Sequence, residues 1–297
     1  MRQIALKAYA KINLGLDVLR RREDNYHEVR MVMQSVTLYD KLTMKKISKD
    51  EISLSSNLGY LPNNDKNLVY KAIHLMREEY KITQGVKADL EKRIPVAAGL
   101  AGGSTDAAAA LVGMNRLFHL KLSLERLMEL GAKIGADVPY CVLRGTALSE
   151  GIGEILTPLS PLPACYILLA KPGINVSTRF VYENLEADKL PYHPDIDGMI
   201  EALEREELKG VTDRLSNVLE TVTEKKYPII GKIKQTMKEN GALNSIMSGS
   251  GPTVFGIFDK KEKAEKALDK VREIELVKNS YLVEPFLPET KKYFLKR

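Results

Sequence analysis

The sequence predicts an α+β fold in two domains. Segments with the two-residue alternation of β-strands and segments with the spacing of amphipathic helices both occur along the whole chain. They do not follow one another in regular βα pairs, which argues against a purely parallel sheet. A proline-containing run at residues 157–163 separates the two halves. We therefore predict an N-terminal domain over residues 1–157 and a C-terminal domain over residues 158–297.

The elements of the first half follow from local patterns. Residues 1–20 have the apolar content of a strand, and a polar turn follows at residues 22–25. Apolar side chains recur at helical spacing from Leu68 to Met76, which predicts a helix. The predicted order is a strand at 1–20, strands at 29–42 and 43–53, a helix at 67–80, a strand at 86–94, a turn at 95–103 and helices at 104–118 and 124–134.

The second half predicts a similar mixture of strands and helices. It opens on an apolar strand directly after the proline-containing run. A loop rich in glycine and serine, residues 248–253, precedes a second apolar strand. The predicted order is a strand at 165–171, helices at 177–186, 195–206 and 227–239, a strand at 253–258, a helix at 261–272 and a strand near 280–285.

Composition favours a globular protein with no nucleic-acid partner. The chain has 297 residues, of which 44% are hydrophobic, so it can bury a sizeable core. Its 45 basic residues are interleaved with 39 acidic ones, and the formal net charge is +6. A nucleic-acid-binding protein more often carries a basic block or stripe. The charge pattern therefore indicates a mixed solvated surface, with a small anionic substrate as the alternative.

The apolar segments and the cysteines favour a soluble, cytoplasmic protein with no membrane partner. No apolar run approaches the roughly 20 residues of a membrane-spanning helix. Lys7 and Lys11 interrupt the N-terminal apolar segment, unlike in a secretory signal. Cys141 and Cys165 lie in apolar surroundings, which predicts reduced core thiols; one disulfide between them is the alternative.

A glycine- and alanine-rich stretch, residues 95–105, joins a predicted strand to a predicted helix; we call it the first glycine loop. Helix N-termini carry N–H groups without helical partners and a partial positive charge. Glycines also let a phosphate approach the backbone closely. The stretch is neither a Walker A loop nor a dinucleotide-binding fingerprint. It predicts either an anion cradle or a plain turn in which Ser104 or Thr105 caps the helix.

Two ionisable residues occupy unusual sequence positions. Lys11 lies in an apolar strand, where the two-residue period places it on one face with Tyr9 and Asn13. It is either functional or an edge-strand lysine that discourages aggregation. Asp137 follows the helix predicted at 124–134 and is either a helix cap or a carboxylate that orients or deprotonates a hydroxyl. A lysine beside such a carboxylate would keep it ionised.

The first glycine loop resembles the signature of the GHMP kinases, which reads roughly Pro-x-x-x-Gly-Leu-Gly-Gly-Gly-Ser-Ser. Ala101 replaces one glycine and Thr105 replaces one serine. The resemblance implies a GHMP kinase fold, with an N-terminal domain like ribosomal protein S5 domain 2 and a ferredoxin-like C-terminal domain. It implies ATP and Mg²⁺ as cofactors and leaves the metal ligands unknown. The ATP-binding positions that it implies are Asn67, Pro95, Val96, Ala97, Ala98, Gly99, Leu100, Ala101, Gly102, Gly103, Ser104 and Thr105.

Further motifs resemble those GHMP kinases that phosphorylate a cytidine diphosphate derivative of methylerythritol, in the non-mevalonate route to isoprenoids. The resemblance covers essentially the whole chain and implies transfer to the 2-hydroxyl, with Lys11 and Asp137 as the catalytic pair. Asn25 stands where the family often has glycine, and asparagine tolerates a left-handed backbone. The motifs are Ala-Lys-Ile-Asn-Leu at 10–14, Asp-Asn-Tyr-His at 24–27, Asp-Lys-Asn-Leu at 65–68, Gly-Ala-Asp-Val-Pro at 135–139 and Ser-Gly-Ser-Gly-Pro-Thr at 248–253.

The resemblance also implies a site for the cytosine base. Tyr26 would stack on the base, at roughly 1–3 kcal/mol per base. His27 would bond to the base edge, while Asn13 and Tyr182 complete the implied substrate-binding set. Without the resemblance, Tyr26 is a tyrosine packed under a turn, His27 a surface histidine and Tyr182 a helix core residue. Residues 248–253 are either near the phosphates or a simple connector.

Two other functions remain as alternatives. The chain could be a homoserine or mevalonate kinase, but the acceptors of those enzymes carry no base for Tyr26 and His27 to bind. It could also be a non-catalytic nucleic-acid-binding protein with an S5-like fold, against which the dispersed charge argues. The favoured partner is a small-molecule substrate, and the protein is expected to be a monomer or homodimer.

Overall fold

The computed structural model describes residues 2–288, and the chain forms two compact units. The units alternate along the sequence, so the two long strands β1 (Gln3–Arg21) and β2 (His27–Ile47) contribute residues to both. The predicted domain boundary at residues 157 and 158 stays a prediction. The first unit holds the residues up to Ala10, Leu38–Val96 and Ala101–Leu143; the second holds Lys11–Thr37, Ala97–Leu100 and the described residues from Arg144 onward.

The first unit packs helices on a mixed sheet. In this sheet β4 pairs antiparallel with β2, and β3 pairs parallel with β4. A Cβ atom at Gly113 would lie 2.4 Å from the sulfur of Met44, so the missing side chain brings the alanine-rich helix α2 close to the strand. The elements of this unit, besides parts of β1 and β2, are β3 (Ile52–Ser56), α1 (Leu68–Glu79), β4 (Gly85–Glu91), α2 (Gly102–Leu117), α3 (Leu124–Ala132) and α4 (Val138–Leu143).

The second unit contains two groups of strands. The first group extends β1 and β2: β5 pairs with β2, β6 with β5, and the short β8 pairs parallel with β1. The second group is an antiparallel sheet in the order β11-β7-β10-β9, against which α9 and α10 pack. Its elements are β5 (Thr146–Glu150), β6 (Ile155–Pro158), β7 (Tyr166–Pro172), α5 (Thr178–Glu183), α6 (Ile196–Glu204), α7 (Leu208–Asp213), β8 (Ser216–Asn217), α8 (Glu220–Lys226), α9 (Ile229–Glu239), β9 (Asn244–Met247), β10 (Val254–Phe258), α10 (Lys261–Arg272) and β11 (Val277–Val283).

Each unit buries its own apolar core. In the first unit the α2 alanines at 107–110 are fully buried. Their small side chains let the neighbouring elements pack closely against the helix. The free thiols of Cys141 and Cys165 are both buried, one in each unit. Within the described residues, none of the helices combines the length and apolar composition needed to span a bilayer.

The structure confirms the α+β prediction and corrects several of its elements. Strands predicted at 29–42 and 43–53 are instead β2, which continues unbroken to Ile47, and a separate β3. Strands β5, β6, β8 and β9 and helices α4, α7 and α8 are absent from the predicted order. Strand β5 is buried along nearly its whole length and so lacks polar alternation. Helices α7 and α8 are short, and α7 contains Gly210.

Candidate active site

The helix end of the first glycine loop lies in the first unit. Helix α2 begins at Gly102 after Ala101, whose φ of 54° and ψ of 31° are left-handed. The alternative in which Ser104 or Thr105 caps the helix is wrong, because Ala101 holds the cap position. The Thr105 hydroxyl instead donates to the carbonyl oxygen of Tyr9 at 2.7 Å. No side-chain cap therefore takes up the first N–H groups of α2, and an anion there would meet hydrogen-bond donors.

The middle of the first glycine loop lies in the second unit, against the loop at 248–253, which we call the second glycine loop. The Ser248 hydroxyl donates to the Gly99 carbonyl oxygen at 2.9 Å. The Thr253 amide donates to the Ala98 carbonyl oxygen at 3.3 Å. A Cβ at Gly99, where φ is +74°, would lie 2.2 Å from the Ser248 carbonyl oxygen, so glycine is required at this contact.

Lys11 and Asn13 form a buried polar pair on β1. Lys11 is 5% exposed and Asn13 is fully buried. The Lys11 ammonium donates to Asn13 Oδ1 at 2.8 Å, and the Lys11 amide donates to the Leu100 carbonyl oxygen at 3.2 Å. An edge-strand lysine must be exposed to discourage pairing, so this burial argues against that alternative. The pair lies directly beside the first glycine loop.

Asp137 lies at the start of a short helix in the first unit. Its carbonyl oxygen accepts a hydrogen bond from the Cys141 amide at 3.1 Å, which places it immediately before α4. The residue is half-buried. The position fits a helix cap, and it also leaves the carboxylate partly accessible.

The residues expected to form the cytosine site all belong to the second unit. Tyr26 is 59% exposed, which contradicts the alternative of a tyrosine packed under a turn. The rings of His27 and Tyr182 have centroids 5.1 Å apart and a 40° interplanar angle. Asn25 has a φ of 66°, the left-handed conformation expected for it. The His27 and Tyr182 rings are therefore neighbours, and the exposed Tyr26 directly precedes His27 in the chain.

His27 carries a neutral imidazole at neutral pH. Burial, followed by the positive charge of Arg21, lowers the pKa of His27 from its usual 6.5. A neutral imidazole has one donor and one acceptor nitrogen, so it can bond to both kinds of group on a base edge.

A buried charge cluster under the first glycine loop was missed from the sequence. The Lys92 ammonium donates to Asp40 and, at 2.6 Å, to Asp106 on α2. Asp40 also accepts the Ile94 amide at 2.8 Å, one residue before the loop begins. Burial raises the pKa of Asp106 well above its usual range. The cluster ties the end of β4 to the start of α2. The charged run around Lys92 looks like surface, so no sequence pattern could have found it.

Asn67 has a structural role as a helix cap, and the described residues contain no preformed metal cluster. Asn67 caps α1, with Oδ1 accepting the Val69 amide at 2.9 Å and Nδ2 donating to the Pro62 carbonyl oxygen at 2.9 Å. Across residues 2–288, no three His, Cys, Asp or Glu side chains are grouped to hold a metal ion. Mg²⁺ in kinases is commonly held by one or two carboxylates together with substrate phosphates, so a group of three such side chains is not required for it.

Family models match both halves of the chain. The model described as GHMP kinases N terminal domain matches residues 67–145, and the model described as GHMP kinases C terminal matches residues 193–275. The 4-diphosphocytidyl-2-C-methyl-D-erythritol kinase of Lachnospira eligens is 55% identical over 97% of this chain and 100% of its own length. The protein of the same name from Clostridium perfringens is 52% identical over 89% of this chain and 92% of its own.

Solved structures with the same architecture extend the similarity. A crystal structure of 4-(cytidine 5'-diphospho)-2C-methyl-D-erythritol kinase superposes with a TM-score of 0.81 at 32% identity, covering 96% of this chain and 100% of that chain. Homoserine kinase from Cytophaga hutchinsonii superposes with a TM-score of 0.76 at 20% identity, covering 97% and 95%. The second likeness concerns the fold alone.

Proposed function

Because this chain belongs to the GHMP kinases, we propose that it transfers the γ-phosphoryl group of ATP to the 2-hydroxyl of 4-diphosphocytidyl-2-C-methyl-D-erythritol. The similar kinases are 4-diphosphocytidyl-2-C-methyl-D-erythritol kinases, which supports this compound as the acceptor. The observation that carries it is the group of Tyr26, His27 and Tyr182, which suits a pyrimidine base. Homoserine and mevalonate offer no flat surface for these rings.

The first glycine loop supplies the proposed phosphate contacts. The N–H groups at the start of α2 have no side-chain cap and would bond to phosphate oxygens. Thr105 is 2% exposed and its hydroxyl already donates to Tyr9, so we expect Ser104 to be the hydroxyl that faces the phosphates and Mg²⁺. The ion, when bound with ATP, neutralises charge on the transferred group. Asn67 and residues 95–101 would shape the remainder of the ATP site.

Lys11 and Asp137 are the proposed catalytic pair. Phosphoryl transfer depends chiefly on positioning and charge stabilisation, with one acceptor for the hydroxyl proton. Asp137 would accept that proton, and the Lys11 ammonium would stabilise charge on the attacking oxygen. The Lys11 contact with Asn13 supports this role, because it holds the ammonium in one place on β1.

A coupled ADP-release assay tests the proposed function. The purified protein is given ATP and Mg²⁺ with 4-diphosphocytidyl-2-C-methyl-D-erythritol, mevalonate or homoserine in turn. We expect acceptor-dependent ADP release only with the cytidine compound. Comparable or faster turnover with mevalonate or homoserine would contradict the proposed acceptor. A protein that releases no ADP but binds DNA with a steep salt dependence would favour the nucleic-acid alternative.

Tyr26→Ala is expected to raise the KM for the cytidine acceptor about five- to a hundred-fold, because one stacking ring is lost. The KM for ATP should barely change, since the glycine loops are untouched. Steady-state kinetics with each substrate varied in turn measures both constants. Tyr60→Ala is the control, because Tyr60 is a 72% exposed tyrosine of the first unit and has no place in the proposed base site. Equal losses for ATP and acceptor in Tyr26→Ala would indicate a folding defect and remove the stacking claim.

His27→Ala is expected to narrow the preference for cytidine over uridine acceptors. Stacking accepts any base, whereas hydrogen bonds to the base edge distinguish cytosine from uracil. The ratio of kcat/KM for the two acceptors measures the preference. In the wild-type protein this ratio should be constant between pH 7 and 8, where His27 is neutral, and should change as falling pH protonates the imidazole at its lowered pKa. An unchanged preference in the variant would assign base recognition to backbone groups of the turn.

A further inference from the structure

We propose that Asn217 is a positioning residue for phosphoryl transfer, acting through the second glycine loop; this inference rests on the proposed function. Asn217 lies on β8 and is fully buried. Its Nδ2 donates to the carbonyl oxygens of Met247 and Gly249, both at 2.8 Å. Its Oδ1 accepts the Leu219 amide at 3.0 Å. One donor hydrogen of the amide is thus used on the last residue of β9 and the other on the second glycine loop, while its acceptor oxygen is held by its own segment.

Glu220 holds the backbone amide of Met247, the residue whose carbonyl oxygen Asn217 binds. Its Oε1 accepts the Met247 amide at 2.6 Å, and its Oε2 accepts the Lys234 ammonium at 2.7 Å. The N–H and the C=O of Met247 are therefore both held by side chains from one four-residue segment. Strand β9 ends at Met247, so these bonds set where the second glycine loop begins.

The second glycine loop passes this position to residues assigned to the reaction. Ser248, the residue after Met247, bonds to Gly99 of the first glycine loop at 2.9 Å. A Cβ at Gly249 would lie 3.4 Å from Asn13 Oδ1, the atom that accepts the Lys11 ammonium. A shift of the Gly249 peptide would therefore disturb both the first glycine loop and the Lys11–Asn13 pair. Misplacement by about 1 Å can cost on the order of 10²-fold in rate.

The strand that leads into the loop contains a matched control. Asn244, at the other end of β9, also donates through Nδ2 to a backbone carbonyl, that of Thr212, at 2.9 Å. Its Oδ1 accepts the Ser245 amide at 2.9 Å. None of these bonds reaches either glycine loop. Removing the Asn244 side chain is expected to cost two hydrogen bonds to the backbone while leaving the second glycine loop in place.

The experiment compares Asn217→Asp and Asn217→Ala with Asn244→Ala in the full-length protein. Asn217→Asp keeps the size of the side chain but turns a carboxylate oxygen toward two carbonyl oxygens, so it cannot hold the loop. We expect both Asn217 variants to lose at least about tenfold in kcat/KM for ATP. The Kd for cytidine diphosphate, measured by calorimetry, should stay within about threefold of wild type, because the stacking rings remain. Asn244→Ala should change neither quantity by more than about twofold.

Three outcomes would overturn the positioning role. They are a folded Asn217→Asp protein with wild-type turnover, equal loss of turnover in Asn217→Ala and Asn244→Ala, or loss of cytidine diphosphate binding in proportion to turnover. If the Asn217 variants do not fold, Ser248→Ala removes only the bond to Gly99 and should show the same selective loss. If wild type does not phosphorylate the acceptor, the proposed function fails separately. In that case the Kd for ATP tests the positioning role instead. A Kd in Asn217→Asp equal to that of wild type would overturn the role.

Discussion

Asp137→Asn is expected to keep the fold and the ATP affinity while lowering kcat by at least about 10²-fold, the lower range for general acid–base catalysis. Asparagine has nearly the same shape and is an equally good residue at the start of a helix, so α4 should form as before. The amide cannot accept the proton of the substrate hydroxyl. The measurements are steady-state kcat, ATP affinity by calorimetry and the midpoint of urea unfolding.

Asp195→Asn is the matched control for this variant. Asp195 caps α6 by accepting the Gly198 amide at 2.9 Å, and it has no assigned role in the reaction. We expect its replacement by asparagine to leave kcat unchanged. Near-normal turnover in a folded Asp137→Asn protein would leave Asp137 as a helix cap only.

Lys11→Ala is also expected to lower kcat by about 10²-fold or more, because no other side chain in the proposal supplies positive charge at the attacking oxygen. Lys11→Arg should not restore full activity. A guanidinium is a planar fork rather than a compact charge, and Lys11 is buried against Asn13 with little room for the change. Single-turnover kinetics at saturating ATP and acceptor would isolate the phosphoryl-transfer step.

Lys7→Ala provides the comparison within the same strand. Lys7 is exposed on β1, and its ammonium lies 4.4 Å from the ring centroid of Tyr39. Its removal should change stability slightly and kcat not at all. If Lys11→Ala altered only thermal stability, as Lys7→Ala is expected to do, the catalytic assignment of Lys11 would be wrong.

The sequence predicted the longer elements well because their patterns are local. Helix α1 was predicted within one residue at each end, since its apolar side chains recur at helical spacing and Asn67 caps it. Helix α10 was predicted with the bounds that the structure gives it. The break predicted between strands at residues 42 and 43 was wrong. The alternation of buried and exposed side chains continues across it, and the unbroken pairing with β4 shows that this is one strand.

The candidate site was only partly accessible to sequence reasoning. Local departures from ordinary patterns marked Lys11 and the first glycine loop, whereas Tyr26 was marked only by the resemblance to the GHMP kinases. The contact between Ser248 and Gly99 joins residues 149 positions apart, and no spacing rule predicts it. Asn217 has the sequence context of an ordinary polar residue, and its burial follows only from the tertiary fold.

The two buried thiols give the protein internal reporters of opening. Burial, with a smaller contribution from the charge of Glu284, raises the pKa of Cys165 to about 12, so almost none of it is thiolate at neutral pH. Alkylating reagents react with thiolates, so Cys165 becomes reactive only when its surroundings open transiently. Cys141 is likewise buried, but it belongs to the first unit while Cys165 belongs to the second. Mass-resolved alkylation rates at the two positions would therefore report the opening of each unit separately.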